Sequence, residues 1–200
     1  MLAACGTVHP GDAAVVDGQS ISMSTLEDTA GAYCLFTLNS AQQQGIKAIS
    51  NTDIRRQAVV SLVSTTVARS LAKSEGLDIK PVTYELGEAE EDQLAEVFPD
   101  ADQEKMRKAL QESREVSAIA IALAAKQTGQ VPDQENQASL EELGRAAIMK
   151  EFKPNDVKFA PRFGLSPDGA ERSATGSLSV APVDLEAPAP EELPKTQRCS

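Results

Sequence analysis

The chain contains no tryptophan, two tyrosines and five phenylalanines in 200 residues, so aromatics make up only 4% of it. Stacking platforms for bases or sugar rings need clustered aromatics, and the sequence offers no such cluster. Histidine is nearly absent as well: His9 is the only one, and beside Pro10-Gly11 it reads as a solvated residue. No metal-spaced His/Cys set, GxSxG, GxGxxG or P-loop motif occurs. Hydrolase, nucleotide-binding and metalloenzyme chemistry lose the residues they need, and no cofactor is expected. Positive charge is scarce too: 19 Lys and Arg against 30 Asp and Glu leave a net charge of −11. That balance argues against a nucleic-acid partner and against attraction to anionic lipid headgroups. No long hydrophobic run is present either. The longest, Val116 to Ala125, is about half of the ~20 residues that a membrane-spanning helix requires, and it reads as a core helix.

Apolar residues nonetheless form 41% of the chain, and 200 residues hold one ordinary domain plus tails. The alanine-rich composition favours helices. The stretch Ala13 to Glu27, AAVVDGQSISMSTLE, organises the rest. Ala14, Val15 and Val16 suit a buried strand, Asp17-Gly18 supplies a left-handed reversal, and Gln19 to Ser22 alternates polar and apolar residues. Ser24, three residues before Glu27, predicts a capping box and a helix from about Thr25 to Gln44, ended by Gly45.

Four more helices are predicted downstream. The second runs from Asn51 or Thr52 to about Ser74, with Arg55, Arg56, Arg69 and Lys73 mainly on a solvated face. The third, weaker and acidic, spans Pro81 to about Phe98 and is interrupted by Gly87. Its carboxylates lack the alternation and turning glycine of a calcium loop, so no metal is expected there. The fourth spans about Asp102 to Thr128 and should be most buried in its second half, and the fifth spans about Gln134 to Lys150. After them Asp156 to Ala160 alternates at period two. A lone strand needs a partner for its backbone, so Val157 to Ala160 is predicted to pair with part of Ala13 to Ser22. From Leu165 onward Gly, Ser, Ala, Pro and acids dominate, and only Ser177 to Val180 keeps a period. That composition predicts a largely disordered tail unless Cys199 pins it. The expected architecture is mainly α: about five helices over 13–164 with a small β pairing, preceded by a tether at 1–12 and followed by a tail at 165–200.

Leu2-Ala3-Ala4-Cys5 has the form of a bacterial lipobox, in which the Cys5 thiol takes the lipid. The basic start and the ~7–15 apolar residues of a complete signal are not seen before it, so the sequence is expected to begin late or to have been trimmed. On this reading the protein is an extracytoplasmic lipoprotein anchored in the cell membrane through Cys5; the other reading is an ordinary N-terminal cysteine. If lipid takes Cys5, Cys34 and Cys199 remain as an even pair in an oxidising compartment, where a disulfide is favourable. The alternative is a buried free Cys34 and a loose Cys199 in the tail.

Val15, Val16, Asp17, Gly18 and Ile21 open the chain, and Pro161, Arg162, Phe163 and Gly164 close its helical body. With the long helix after the opening segment and the late returning strand, these residues resemble the N-terminal domain of the SurA and PrsA group of extracytoplasmic chaperones. The closing NDVKFAPRFG and GSLSVAP resemble the SurA-N-like lipoproteins of actinobacteria in particular. The resemblance implies a helical fold that shields apolar segments of unfolded or partly folded client proteins, without nucleotide or metal. The departure from that group is equally informative. Nothing here has the length, strands or paired histidines of a parvulin-type prolyl isomerase domain, so isomerase activity, and enzymatic activity in general, is not expected. Arg162-Phe163-Gly164 reads as packing and a turn. Candidate client-binding residues are Met23, Tyr33, Phe36, Phe98 and Met106, because Met and aromatic side chains adapt to varied partners; the plainer reading of each is core. The alternative function is a structural or interaction lipoprotein of the cell envelope that docks one dedicated protein partner.

Overall fold

Asp17 and Gly18 turn the chain back on itself with φ of 49° and 78°, the left-handed backbone that a two-residue hairpin loop requires. The loop joins the antiparallel strands β1 (Asp12–Val16) and β2 (Gln19–Ser22). The computed structural model describes residues 8–172 and 189–199, so Cys5 and the Ser177 to Val180 segment lie outside the described residues.

Helix α1 (Met23–Gln42) leaves β2 without a linker. Its cap is Ser22, whose Oγ accepts the Thr25 N–H at 3.1 Å. The expected Ser24–Glu27 box does not form, because Ser24 already lies inside the first turn and Glu27 binds Arg55 at 2.6 Å. Strand β3 (Ile49–Ser50) then leads into α2 (Asn51–Ser74), which has the expected boundaries. The single weak helix expected over Pro81 to Phe98 is instead a 3-10 turn at Pro81–Thr83 followed by α3 (Glu88–Val97). Gly87 starts that helix and does not interrupt it: the Gly87 N–H donates to Glu90 Oε2 at 2.9 Å, a side chain capping its own helix end. Helix α4 (Asp100–Thr128) follows Pro99 directly. Helix α5 (Gln137–Lys150) begins later than expected. Asp133 Oδ1 accepts the N–H groups of Glu135 and Asn136 at 2.9 Å each, holding that segment in a turn.

The five helices and a small antiparallel sheet give the mainly α fold that the sequence predicts. Strand β4 (Lys158–Phe159) returns to the opening segment, with Ala14 opposite Phe159 and Val15 opposite Lys158. The Ala160 N–H extends the pairing to the Ala13 carbonyl at 2.9 Å. The sheet order is β2-β1-β4, so the first strand is the central one. Its residues pack into a core shared with Leu26 of α1, Val59 and Val63 of α2, and Ile119 and Leu123 of α4. The second half of α4 is the deeply buried part, as expected from Val116 onward.

The fold continues beyond Gly164. Phe163 is buried and Gly164 turns the chain at φ 62°, but Leu165 is buried as well. Arg56 is no simple surface cation: its Nε donates to the Phe163 carbonyl at 2.9 Å and its guanidinium reaches Glu171 at 3.3 Å. At the far end β5 (Arg198–Cys199) pairs antiparallel with β3, and a disulfide joins Cys199 to Cys34 of α1, with Cα atoms 5.7 Å apart. This second, two-stranded sheet was not anticipated from the sequence, because two-residue strands carry no period. Among the described residues no helix is long and apolar enough to cross a membrane.

Candidate binding groove

Helix α1 divides its apolar residues between two cores. Leu26 and Ala30 enter the main core, whereas Ala32, with Leu35 packed alongside, joins Leu94 of α3 and Met106 of α4 in a smaller cluster. Between these contacts the helices splay, and a groove opens along α1. Its outer compartment, about 280 Å³, has an apolar lining of Phe36, Leu86, Leu94, Val97, Phe98 and Leu110. Asn39, Ser40, Gln43 and Gln93 supply polar groups along its edges. An inner compartment of about 220 Å³ shares Phe36 and Leu110 and adds Tyr33, Met106, Ala109 and Gln57. Phe36 therefore stands between the two compartments, and at 47% exposure it is a large aromatic that the fold leaves uncovered.

The outer wall is a short helix held at both flanks. Glu90 binds Arg114, with Arg114 Nη1 on Glu90 Oε2 at 2.9 Å, and Arg107 Nε donates to both Glu91 oxygens at 2.7 and 2.9 Å. The pair of Arg114 with Glu90 is bidentate, both terminal nitrogens meeting the two oxygens, and so fixes orientation as well as distance, whereas Arg107 shares one N–H between the two Glu91 oxygens. Hydrogen bonding from Arg114, and then from the Gly87 N–H, lowers the Glu90 carboxyl from its ordinary 4.5 to about 2. Arg107 likewise holds Glu91 below the ordinary value. These pairs are solvent-exposed and contribute little each. The buried anchor of α3 is Leu94, at 4% exposure against Ala32 and Met106.

The five candidate residues separate into three groups. Tyr33, Phe36 and Phe98 line the groove with part of their surface accessible. Tyr33 is held there by its hydroxyl, which donates to Ser61 Oγ at 2.6 Å. Met106 underlies the inner compartment but is only 1% exposed, so it is core that forms the floor. Met23 does not belong to the groove: it sits half-buried at the start of α1, packed against the main core. The sequence reading missed Val97, 46% exposed on the rim, and Leu86, which lies in the loop before α3. Leu86 lies outside any helix, so periodicity gives no signal for it; Val97 does share a helical stripe with Leu94, three residues earlier, but closes a short acidic helix at the end of which its exposure is not legible. A larger hollow of about 540 Å³ lies between the 78–83 segment and α4, lined by Ile79, Ala118 and Ile121. It presents no aromatic side chain.

The arrangement can bury an apolar side chain on either side of Phe36 and meet a polypeptide backbone with amide and hydroxyl groups at the edges. In comparisons with known proteins, no family model, curated protein or solved structure matches the chain.

Proposed function

We propose that this protein is a chaperone-like binding protein of the cell envelope that holds apolar segments of unfolded or partly folded polypeptides in the groove between α1, α3 and α4, without a chemical step. The observation that carries this reading is Phe36, a half-exposed aromatic flanked by two apolar compartments. Grooves of this kind bind extended segments by side-chain burial, with edge polar groups serving the backbone. The reading also takes the protein as anchored to the membrane through a lipid on Cys5 and facing an oxidising compartment. The lipobox form of Leu2 to Cys5 supports the anchor, and the Cys34–Cys199 disulfide supports the compartment.

The test is aggregation of a reduced, unfolding model protein in the presence of increasing amounts of the full chain carrying Cys5→Ser. Suppression near equimolar ratio, lost on Phe36→Ser, is the expected result. No suppression by a folded, monomeric chain would overturn the general chaperone reading in favour of one dedicated envelope partner. Incorporation of labelled fatty acid into the natural chain but not into the Cys5→Ser variant is the expected result for the anchor.

A further inference from the structure

The groove does not end at its inner compartment. Tyr33, Gln57 and Ser113 line that compartment and also a third one of about 320 Å³, which adds Ser61, Ser64 and Arg145. Two helical rows step along the three. On α1, Phe36 lines the outer and inner compartments, and Tyr33, one turn earlier, lines the inner and the third. On α4, Leu110 lines the first two, Ser113 the second and third, and Val116 the third alone. The lining changes character on the way: beyond Tyr33 it brings together three serine hydroxyls and the Gln57 amide. The Ser61 hydroxyl is engaged by Tyr33 at 2.6 Å, whereas Gln57, Ser64 and Ser113 have no side-chain partner among the described residues. Charge cancels along the whole length. Among the described residues the charged side chains of the lining are Glu90, Arg114 and Arg145. Glu90 and Arg114 neutralise each other, and Arg145 Nε donates to Glu141 Oε1 at 2.8 Å. In a chain of which 24% is charged, this cleft runs from apolar to hydroxyl-bearing with every lining charge already committed.

On the reading of this groove as a client-binding site, we infer that the site spans all three compartments and that its occupant is an extended, uncharged peptide segment: two apolar side chains on either side of Phe36, then a small hydroxyl or amide side chain beyond Tyr33. Alternate side chains of an extended chain point the same way, so residues i, i+2 and i+4 enter the compartments in turn. The third side chain exchanges hydrogen bonds with Ser64, Ser113 and Gln57, each of which can donate and accept. A lysine or a glutamate at that position finds no opposite charge left to pair with, so its desolvation is not repaid. An apolar side chain there strips water from the hydroxyls and gives them no partner in return. The cleft therefore reads three alternate positions of its client, the first two by burial and the third by hydrogen bonding.

The experiment measures fluorescence anisotropy of four labelled peptides, X-Gln-Leu-Gln-Phe-Gln-X with X as Thr, Val, Lys or Glu, against the full chain. Either chain direction then places one X beyond Tyr33. Thr and Val have the same shape, so their comparison isolates the hydroxyl. The titrations are run near 0.5 M NaCl, where the long-range pull of a chain of net charge −11 on lysine is screened. The Thr peptide should bind about 5-fold more tightly than the Val peptide, and the Lys and Glu peptides should each bind about 10-fold more weakly than the Thr peptide. Ser64→Ala with Ser113→Ala should cost the Thr peptide its advantage over Val, and Phe36→Ser should weaken all four. A Val peptide that binds as tightly as the Thr peptide would overturn the three-compartment site while leaving the groove reading intact, and no binding of any peptide would overturn both. A Lys peptide that matches Thr while Glu fails would show that net charge governs and overturn the inference. An equal loss of the Thr and Val peptides in the serine double variant would trace its effect to the shape of the fold and overturn it as well. Self-association that competes with the peptides and is abolished by Phe36→Ser would make a second copy the occupant, which also overturns it.

Discussion

Gly144 of α5 lies directly on the backbone of Ala120 in α4: a Cβ built at Gly144 would meet the Ala120 carbonyl oxygen at 1.9 Å. Glycine in a helix interior costs about 1 kcal/mol relative to alanine, and here the close approach of the two helices accounts for it. Leu140 and Ile148, one turn to either side, are buried at 0% and 2% by that approach. Gly144→Ala should therefore destabilise the protein by about 3 kcal/mol, against the usual sign of a Gly→Ala change in a helix. Urea unfolding checks this: the midpoint should fall at constant slope, and Gly144→Val should fall further.

The Cys34–Cys199 bond closes a loop with a sequence separation of 165 residues. Cys199→Ser should cost about 3–5 kcal/mol in the chain-entropy account of cross-links. Cys34→Ser and the double variant should cost the same amount as Cys199→Ser, because each removes the same bond. Additive losses in that cycle would mean that the two thiols pack independently and are not linked.

Phe36 and Met106 meet at the inner compartment, but they should respond oppositely to truncation. Phe36 is 47% exposed, so Phe36→Ser should leave stability within about 1 kcal/mol while client binding is lost. Met106 is 1% exposed, so Met106→Ala should cost about 2–4 kcal/mol and remove the floor on which α3 rests. Thermal unfolding and the aggregation assay, run on the same two variants, separate the wall from its foundation.

The docking of α3 should depend on acid. Glu90 is lowered in the folded state from an ordinary 4.5 to about 2, first by Arg114 and then by the Gly87 N–H. A depressed carboxyl stabilises the folded form above its unfolded value, and that contribution is lost as pH falls toward the folded value. Protection of α3 amides against hydrogen exchange, corrected for intrinsic rates, should be flat above pH 4.5 and decline from there toward pH 2. Glu90→Gln should lower the plateau and flatten the decline.

The features legible in the sequence were the local ones. Asp17-Gly18 between a buried apolar run and an alternating one specifies its hairpin, and Val157 to Ala160 alternates with no other partner in reach, so both the strand and its pairing could be read. Ser24 was misread because Ser22, two residues earlier, caps the helix equally well by chemistry. The carboxylate expected to complete the box, Glu27, is taken by Arg55, a tertiary partner that no local pattern reveals. Gly87 reads in the sequence as an interruption because glycine weakens helix interiors; the Glu90 side chain three residues on makes it a helix start. The groove was legible only in part. Phe36 and Met106 both fall on helical stripes, and what distinguishes them is the depth to which α3 and α4 cover each one. Leu86 and Val97 acquire their place from the docking of α3, anchored by Leu94 against Ala32 and Met106 and oriented by ion pairs to Arg107 and Arg114 of α4.

Strand β1 has a neighbour on each side, one made immediately after it and one made near the end of the helical body. Until Lys158 and Phe159 arrive, one hydrogen-bonding edge of Ala13 to Val16 stays open, and it is an apolar edge of the kind that recruits other strands. Contacts between such distant parts of a chain are the slow ones to form. While the chain is being delivered residue by residue, its own first strand is thus an unsatisfied apolar segment, and five helices' worth of sequence must pass before it is covered.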